Sequence, residues 1–203
     1  MKNSKYKIVL TGANGFTGRF VCKELIRRKI EFTVLLRPGK IYKWISDRKI
    51  KIIYADLNDK KCLRKSLKGF NCIINTTSLA FISVEDLIQL CEELEIRRGI
   101  FISTTAIFTN LNAKSKKIRK IAEKIIIDSD LNWTILRPTM IYGTADDRNI
   151  IRLIKWIKNW PILPVFGNGK SFQQPIFVND VAWAICEVIY NKKTFKNTYN
   201  ISG

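Results

Sequence analysis

The chain contains no histidine among its 203 residues. That removes the commonest general base and the commonest metal ligand, so imidazole triads, imidazole shuttles and zinc chemistry are excluded from within it. Long apolar runs are also missing, and no stretch approaches the ~20 residues needed to span a bilayer. The basic start Met1-Lys2-Asn3-Ser4-Lys5 lacks a following small-residue cleavage site, so no signal peptide is expected and the cytoplasm is the expected location. Cysteine is sparse and odd in number. Cys22, Cys62, Cys72, Cys91 and Cys186 form no C-x-x-C pair and stand mostly among apolar neighbours, which predicts reduced core thiols. Acidic residues are few, 17 against 36 basic ones, for a net charge of +19.

Such an excess raises the question of nucleic acid or an anionic membrane surface. The cations are spread along the chain, however. Their densest cluster, Lys114, Lys116, Lys117, Arg119, Lys120 and Lys124, has no interleaved aromatic platform. The expectation is a solvated basic surface that steers a polyanionic ligand inward, not a nucleic-acid binder.

With 46% hydrophobic and 26% charged residues, the chain can bury a core without metal or disulfide staples. Short apolar runs alternate with amphipathic stretches, which predicts an α/β fold: a doubly wound parallel sheet with helices on both faces. Strands are expected at Lys7–Leu10, Phe32–Leu36, Ile50–Tyr54, Cys72–Asn75, Gly99–Ser103 and Trp133–Arg137, with another at Thr198–Ile201. Helices are expected at Gly18–Arg28, Lys61–Lys68, Val84–Leu94, Ser115–Ser129, Asn149–Asn159 and Asp180–Tyr190. Trp156, beside the apolar positions of the helix at Asn149, reads as core or interface. Connections look short and no repeat or linker is visible, so residues 1–203 are expected to form a single domain.

After the first strand comes Thr11-Gly12-Ala13-Asn14-Gly15-Phe16-Thr17-Gly18, with glycines three apart and a helix beginning inside the motif. The first glycine permits a tight turn, the second lets the backbone approach a pyrophosphate, and the third allows close helix–strand contact. The amides around Gly12, Asn14, Gly15, Phe16, Thr17 and Gly18 are then aimed, with the helix N-terminus, at an anion. NAD preference in such folds needs a carboxylate about 20 residues further on. Here the second strand ends Leu36-Arg37-Pro38-Gly39-Lys40, so Arg37 and Lys40 favour a 2′-phosphate and NADP, with NAD as the alternative.

The T-G-A-N-G-F-T-G segment resembles the cofactor fingerprint of the short-chain dehydrogenase/reductase superfamily, in its extended and atypical branches of nucleotide-sugar epimerases, dehydratases and related reductases. Further landmarks follow in order. Asp56-Leu57 resembles the pair that contacts adenine, and Asn75-Thr76-Thr77 the segment that borders the cofactor. Ser103-Thr104-Thr105 stands where the family places its catalytic Ser/Thr, Arg137-Pro138 through Tyr142-Gly143 resembles the R-P-x-x-x-Y-G block, and Gln174 to Val181 a later block.

The resemblance implies a Rossmann-type domain whose C-terminal lobe is short or truncated, with residues 142–173 as a substrate-side insertion. It also implies a departure. Counting back from Ala122-Glu123 puts Ser115 where the family has its catalytic tyrosine and Arg119 where it has the lysine. Arg119 could still bind ribose or phosphate, but a serine with no base to activate it is a poor acid–base group. Thr105 and Tyr142 are the remaining catalytic candidates, although the family's tyrosine at the latter position is normally structural. Asp146-Asp147-Arg148 more simply caps the following helix.

Two functions are therefore carried forward: an NADP(H)-dependent oxidoreductase or epimerase/dehydratase acting on a small molecule, a nucleotide sugar for example, or a catalytically silent dinucleotide-binding sensor or assembly factor. Oligomeric state is not legible.

Overall fold

The computed structural model describes residues 6–39, 45, 50–110, 114–145, 147, 150–160, 162 and 173–203. Its strands are β1 (Ile8–Thr11), β2 (Phe32–Leu36), β3 (Lys51–Tyr54), β4 (Cys72–Asn75), β5 (Arg98–Ile102), β6 (Asn132–Pro138), β7 (Ile141–Tyr142), β8 (Ile176–Phe177) and β9 (Asn197–Ile201). The α-helices are α1 (Phe16–Arg27), α2 (Lys60–Leu67), α3 (Val84–Glu93), α4 (Lys114–Ile127), α5 (Ile150–Asn159) and α6 (Val178–Val188).

Seven strands pair in the order β3-β2-β1-β4-β5-β6-β9, every pair parallel, and β7 and β8 form a separate two-stranded ribbon. The fold is thus the Rossmann-type doubly wound sheet that the alternation of apolar runs and amphipathic stretches predicts. β1, β4 and β5 are buried along their whole length because helices cover both faces. One layer of core sits under α1 and α6, around Val21, Leu25, Val181 and Ile185. The other sits under α2, α3 and α4, around Leu63, Leu87, Cys91 and Ile126.

The cysteines are all free thiols, and Cys22, Cys72, Cys91 and Cys186 are buried. Burial pushes these four up to about 12, which leaves them protonated and unreactive near neutrality. Helix α1 starts at Phe16, two residues before its expected start, because the glycine turn closes as early as Gly15, whose N–H bonds the Gly12 carbonyl at 2.8 Å. Trp156 is not core: it is 45% exposed, because α5 buries none of its residues. Asp147 does cap α5, its Oδ1 accepting the Ile151 N–H at 3.0 Å; Asp146, Arg148 and Asn149 lie outside the described residues. Among the described residues no helix is long and apolar enough to cross a membrane.

Candidate functional site

Strand order reverses between β1 and β4, which are neighbours in the sheet although β2 and β3 intervene in sequence. A crevice must open there, because the connections leave the carboxyl edge on opposite faces. The two strand ends are braced across it: Thr11 Oγ1 donates to Asn75 Oδ1 at 2.6 Å, and Thr76 Oγ1 donates to the Thr11 carbonyl at 2.7 Å. Asn75 is fully buried and does not line the crevice; its role there is to hold β1 and β4 together.

Above this brace lies a cleft of about 1720 Å³ that runs along the carboxyl edge from the ends of β2 and β3 to those of β5 and β6. Gly12, Asn14, Gly15, Phe16 and Thr17 line its middle. Gly12 has φ +77°, and a Cβ there would stand 2.6 Å from Thr76 Oγ1 and 2.8 Å from the Thr77 nitrogen. Gly18 is buried against the turn itself, where a Cβ would lie 2.1 Å from the Gly12 carbonyl oxygen. Gly15 differs from both. It is exposed, its backbone is extended, and an added Cβ would stand 3.1 Å from the Gly12 oxygen, a tight contact but a milder one than at Gly12 or Gly18. Its bare Cα faces the cleft at the start of α1, where the first N–H groups have no intrahelical partner. Gly12 and Gly18 shape the turn, and Gly15 keeps space open in front of it.

At one end of the cleft, Arg37 follows β2 and is exposed, and among the described residues β2 itself ends on no carboxylate; Lys40 lies outside the described residues. Asp56 and Leu57 line the same end, and Asp56 Oδ1 accepts the Asn58 N–H at 2.9 Å within its own turn. At the other end stand hydroxyls. Thr105 Oγ1 reaches the Pro138 carbonyl only at 3.4 Å, while Thr104 Oγ1 accepts the Ala106 N–H. Ser103 Oγ and Thr139 Oγ1 are buried with no hydrogen-bond partner among the described residues, and both line the cleft. Buried hydroxyls are ordinarily satisfied, so two orphans at one cleft end mark a place for a polar ligand. Sequence reasoning passed over both, although Ser103 opens the Ser103-Thr104-Thr105 segment and Thr139 follows Pro138.

Several predicted residues fall elsewhere. Tyr142 is not among the cleft-lining residues; it packs in the β7–β8 ribbon with its ring centroid 5.5 Å from that of Phe177. Ser115 and Arg119 are half-buried on α4, and neither lines the cleft. Glu123 on the same helix is 3% exposed and forms an ion pair with Arg137, whose guanidinium also lies 5.3 Å from the Phe108 ring centroid. No group of three or more metal-ligating side chains occurs among the described residues.

A parallel sheet with a glycine turn at its switch point and a long open crevice defines a dinucleotide-binding Rossmann domain. The NAD(P)H-binding family profile matches residues 12–160, and the chain belongs to that family. The chain is 25% identical over 230 residues to the chloroplast stem-loop binding protein of 41 kDa b of Arabidopsis thaliana, covering 99% of this chain and 60% of that protein. It is also 25% identical to NADH dehydrogenase [ubiquinone] 1 alpha subcomplex subunit 9 of Dictyostelium discoideum, covering 95% of this chain and 58% of that one. The chain therefore spans somewhat over half the length of these relatives. Among solved structures, a short-chain dehydrogenase/reductase of Veillonella parvula in complex with NADP superposes with a TM-score of 0.74 at 17% identity, over 98% of this chain and 95% of that one.

Proposed function

We propose that the chain binds NADP(H) in this cleft and is an oxidoreductase or nucleotide-sugar epimerase/dehydratase of the short-chain type, acting on a small molecule, with residues 1–203 as one domain and 142–173 on its substrate side. The observation that carries the proposal is the layout of the cleft: an open glycine turn in the middle, an exposed guanidinium at one end and two orphaned buried hydroxyls at the other. A dinucleotide fits that order of groups. Gly12, Asn14, Gly15, Phe16 and Thr17 would hold its pyrophosphate, Arg37 its 2′-phosphate, Asp56 and Leu57 its adenosine end, and Thr76 and Pro138 would border the remainder. The bound nicotinamide would supply hydride exchange. The chain's own contribution at that end is hydrogen bonding from Ser103, Thr105 and Thr139, which orients the reacting groups and holds a proton near them. The free thiols suit a reducing compartment, the cytoplasm in this proposal, although two relatives carry chloroplast and mitochondrial names.

The test is calorimetric titration of NADPH and NADH into the wild type and Arg37→Ala. A charge-assisted pair to a 2′-phosphate is worth ~1.5–3 kcal/mol, so NADPH should bind roughly tenfold to a hundredfold more tightly, and the variant should lose that preference. Equal affinities in the wild type, or a preference that survives in Arg37→Ala, would refute the NADP assignment.

A second reading has its own support. Ser115 and Arg119, which the resemblance puts where the usual Tyr and Lys stand, do not line the cleft, and one relative is named as a subunit of an NADH dehydrogenase subcomplex. On this reading the dinucleotide steadies a partner-binding surface and is never turned over. NADPH binding without NADPH oxidation across a panel of carbonyls and nucleotide sugars would favour it.

A further inference from the structure

Helix α5 is the one α-helix, among those described, with no buried residue. Leu153, Ile154, Trp156, Ile157 and Trp160 are between 40% and 61% exposed, and Ile162 just beyond is 75% exposed. At about 100° per residue, Ile150, Leu153, Ile154 and Ile157 share one stripe. Trp156 and Trp160, stacked with centroids 5.9 Å apart, widen it on one side. Arg152 follows beyond Trp156, Lys158 borders the stripe on the other edge, and Lys155 stands opposite. The helix carries no acidic residue. Ile151 is the one apolar residue on the cationic side and is half-buried, and Asn159 is its neutral polar member.

We propose that α5 lays the protein on an anionic lipid surface, its isoleucine, leucine and tryptophan side chains in the headgroup–acyl boundary and its cations against the headgroups. Three observations select this occupant. A second copy of the chain would bring +19 against +19, which opposes pairing through a cationic helix. Ten residues make a helix of about 15 Å, too short to cross a hydrocarbon core of about 30 Å but long enough to lie along its boundary. The tryptophans stand between the aliphatic stripe and Arg152, the border at which an amphipathic ring sits best in a bilayer interface, while the lysine and arginine stems reach out to the phosphates.

The test is flotation of the full chain with vesicles of phosphatidylcholine alone and of equal parts phosphatidylcholine and phosphatidylglycerol. The wild type should float with the anionic vesicles and stay behind with the neutral ones. Ile157→Asp and, independently, Trp160→Ser should each cut the partition coefficient roughly tenfold or more, with circular dichroism and thermal midpoint unchanged, since neither side chain is packed in the core. A Lys117→Glu/Lys120→Glu variant, which alters the densest basic cluster and leaves α5 intact, should still float. The proposal is overturned if the wild type ignores anionic vesicles, if both α5 variants float like the wild type, or if the Lys117/Lys120 variant is the one that fails. It is equally overturned if the wild type is a dimer in solution that Ile157→Asp dissolves.

Discussion

Arg98 opens β5, is 0% exposed and has no carboxylate partner among the described residues. A guanidinium has five N–H donors, and here each has an acceptor. Nε donates to the Ile189 carbonyl, Nη1 to the carbonyls of Gly99 and Asn132, and Nη2 to the Val188 carbonyl and to Thr134 Oγ1. The group also lies 4.6 Å from the Phe195 ring centroid. Burial pulls its pKa down to about 10, so it stays charged at neutral pH. Val188 ends α6 and Ile189 follows it, so part of the compensation comes from the negative end of a helix dipole. One side chain thus ties β5, β6 and the end of α6 together.

Removing it should be costly. Buried ion clusters can sometimes be exchanged for apolar residues without loss, because the whole cluster is exchanged. Here four of the five acceptors are main-chain carbonyls, which no substitution deletes. Each acceptor left dry costs ~1–3 kcal/mol, offset by the desolvation of the guanidinium that is no longer incurred. For Arg98→Met the net loss should be about 4 kcal/mol, a large part of the ~5–15 kcal/mol that holds a domain together. Arg98→Lys keeps the charge but has three donors and no planar fork, so it should lose about 2–3 kcal/mol. Equilibrium urea unfolding measures both. With a slope of ~2–3 kcal/mol per molar, the Met variant should shift the midpoint down by roughly 1.5 M. A Met variant within about 1 kcal/mol of the wild type would refute the view that these carbonyls depend on Arg98.

Three further predictions concern the turn, the pH dependence and the chemistry. Gly15→Val should stay folded and lose nucleotide-induced thermal stabilisation, whereas Gly18→Ala should lose stability outright, because its Cβ would stand 2.1 Å from the Gly12 oxygen; equal behaviour of the two would refute the division of roles. Glu24 is held down at about 2, chiefly by its hydrogen bond from Arg27 and then that from Arg28, so its folded pKa lies below its unfolded one. Its contribution is present above the unfolded value near ~4.3 and is lost as pH falls through about 2, so Glu24→Gln should flatten the decline in urea midpoint over that window. If turnover is found, Thr105→Val should lower kcat by roughly a hundredfold and Ser115→Ala should leave it unchanged. Tyr142→Phe should affect stability more than kcat, and a large kcat loss in that variant would return Tyr142 to the acid's role.

The sheet was legible because burial on both faces leaves nearly unbroken apolar runs, and Ile8–Thr11, Cys72–Asn75 and Phe32–Leu36 carry that signature at full strength. The glycine turn was legible for a different reason: spacing between a strand and a helix restricts what the backbone can do there. β7 and β8 were not legible, since two-residue strands have no period to read. Arg98 shows the limit most sharply. A cation before an apolar run reads as a strand boundary, so the strand was expected to begin at Gly99. The carbonyls that take Arg98 inside lie 34 to 91 positions further along the chain, apart from that of Gly99. The same distance hides the site's hydroxyls. Sequence order puts Ser103, Thr104 and Thr105 on equal terms, yet Thr104 is spent on a local turn, Thr105 leans on Pro138, and Ser103 has no partner among the described residues. Local spacing thus fixes where an anion can be held, because a turn and a helix terminus are local objects. Which hydroxyl meets the reacting atoms depends on what the fold brings across from β6, and no local pattern encodes that.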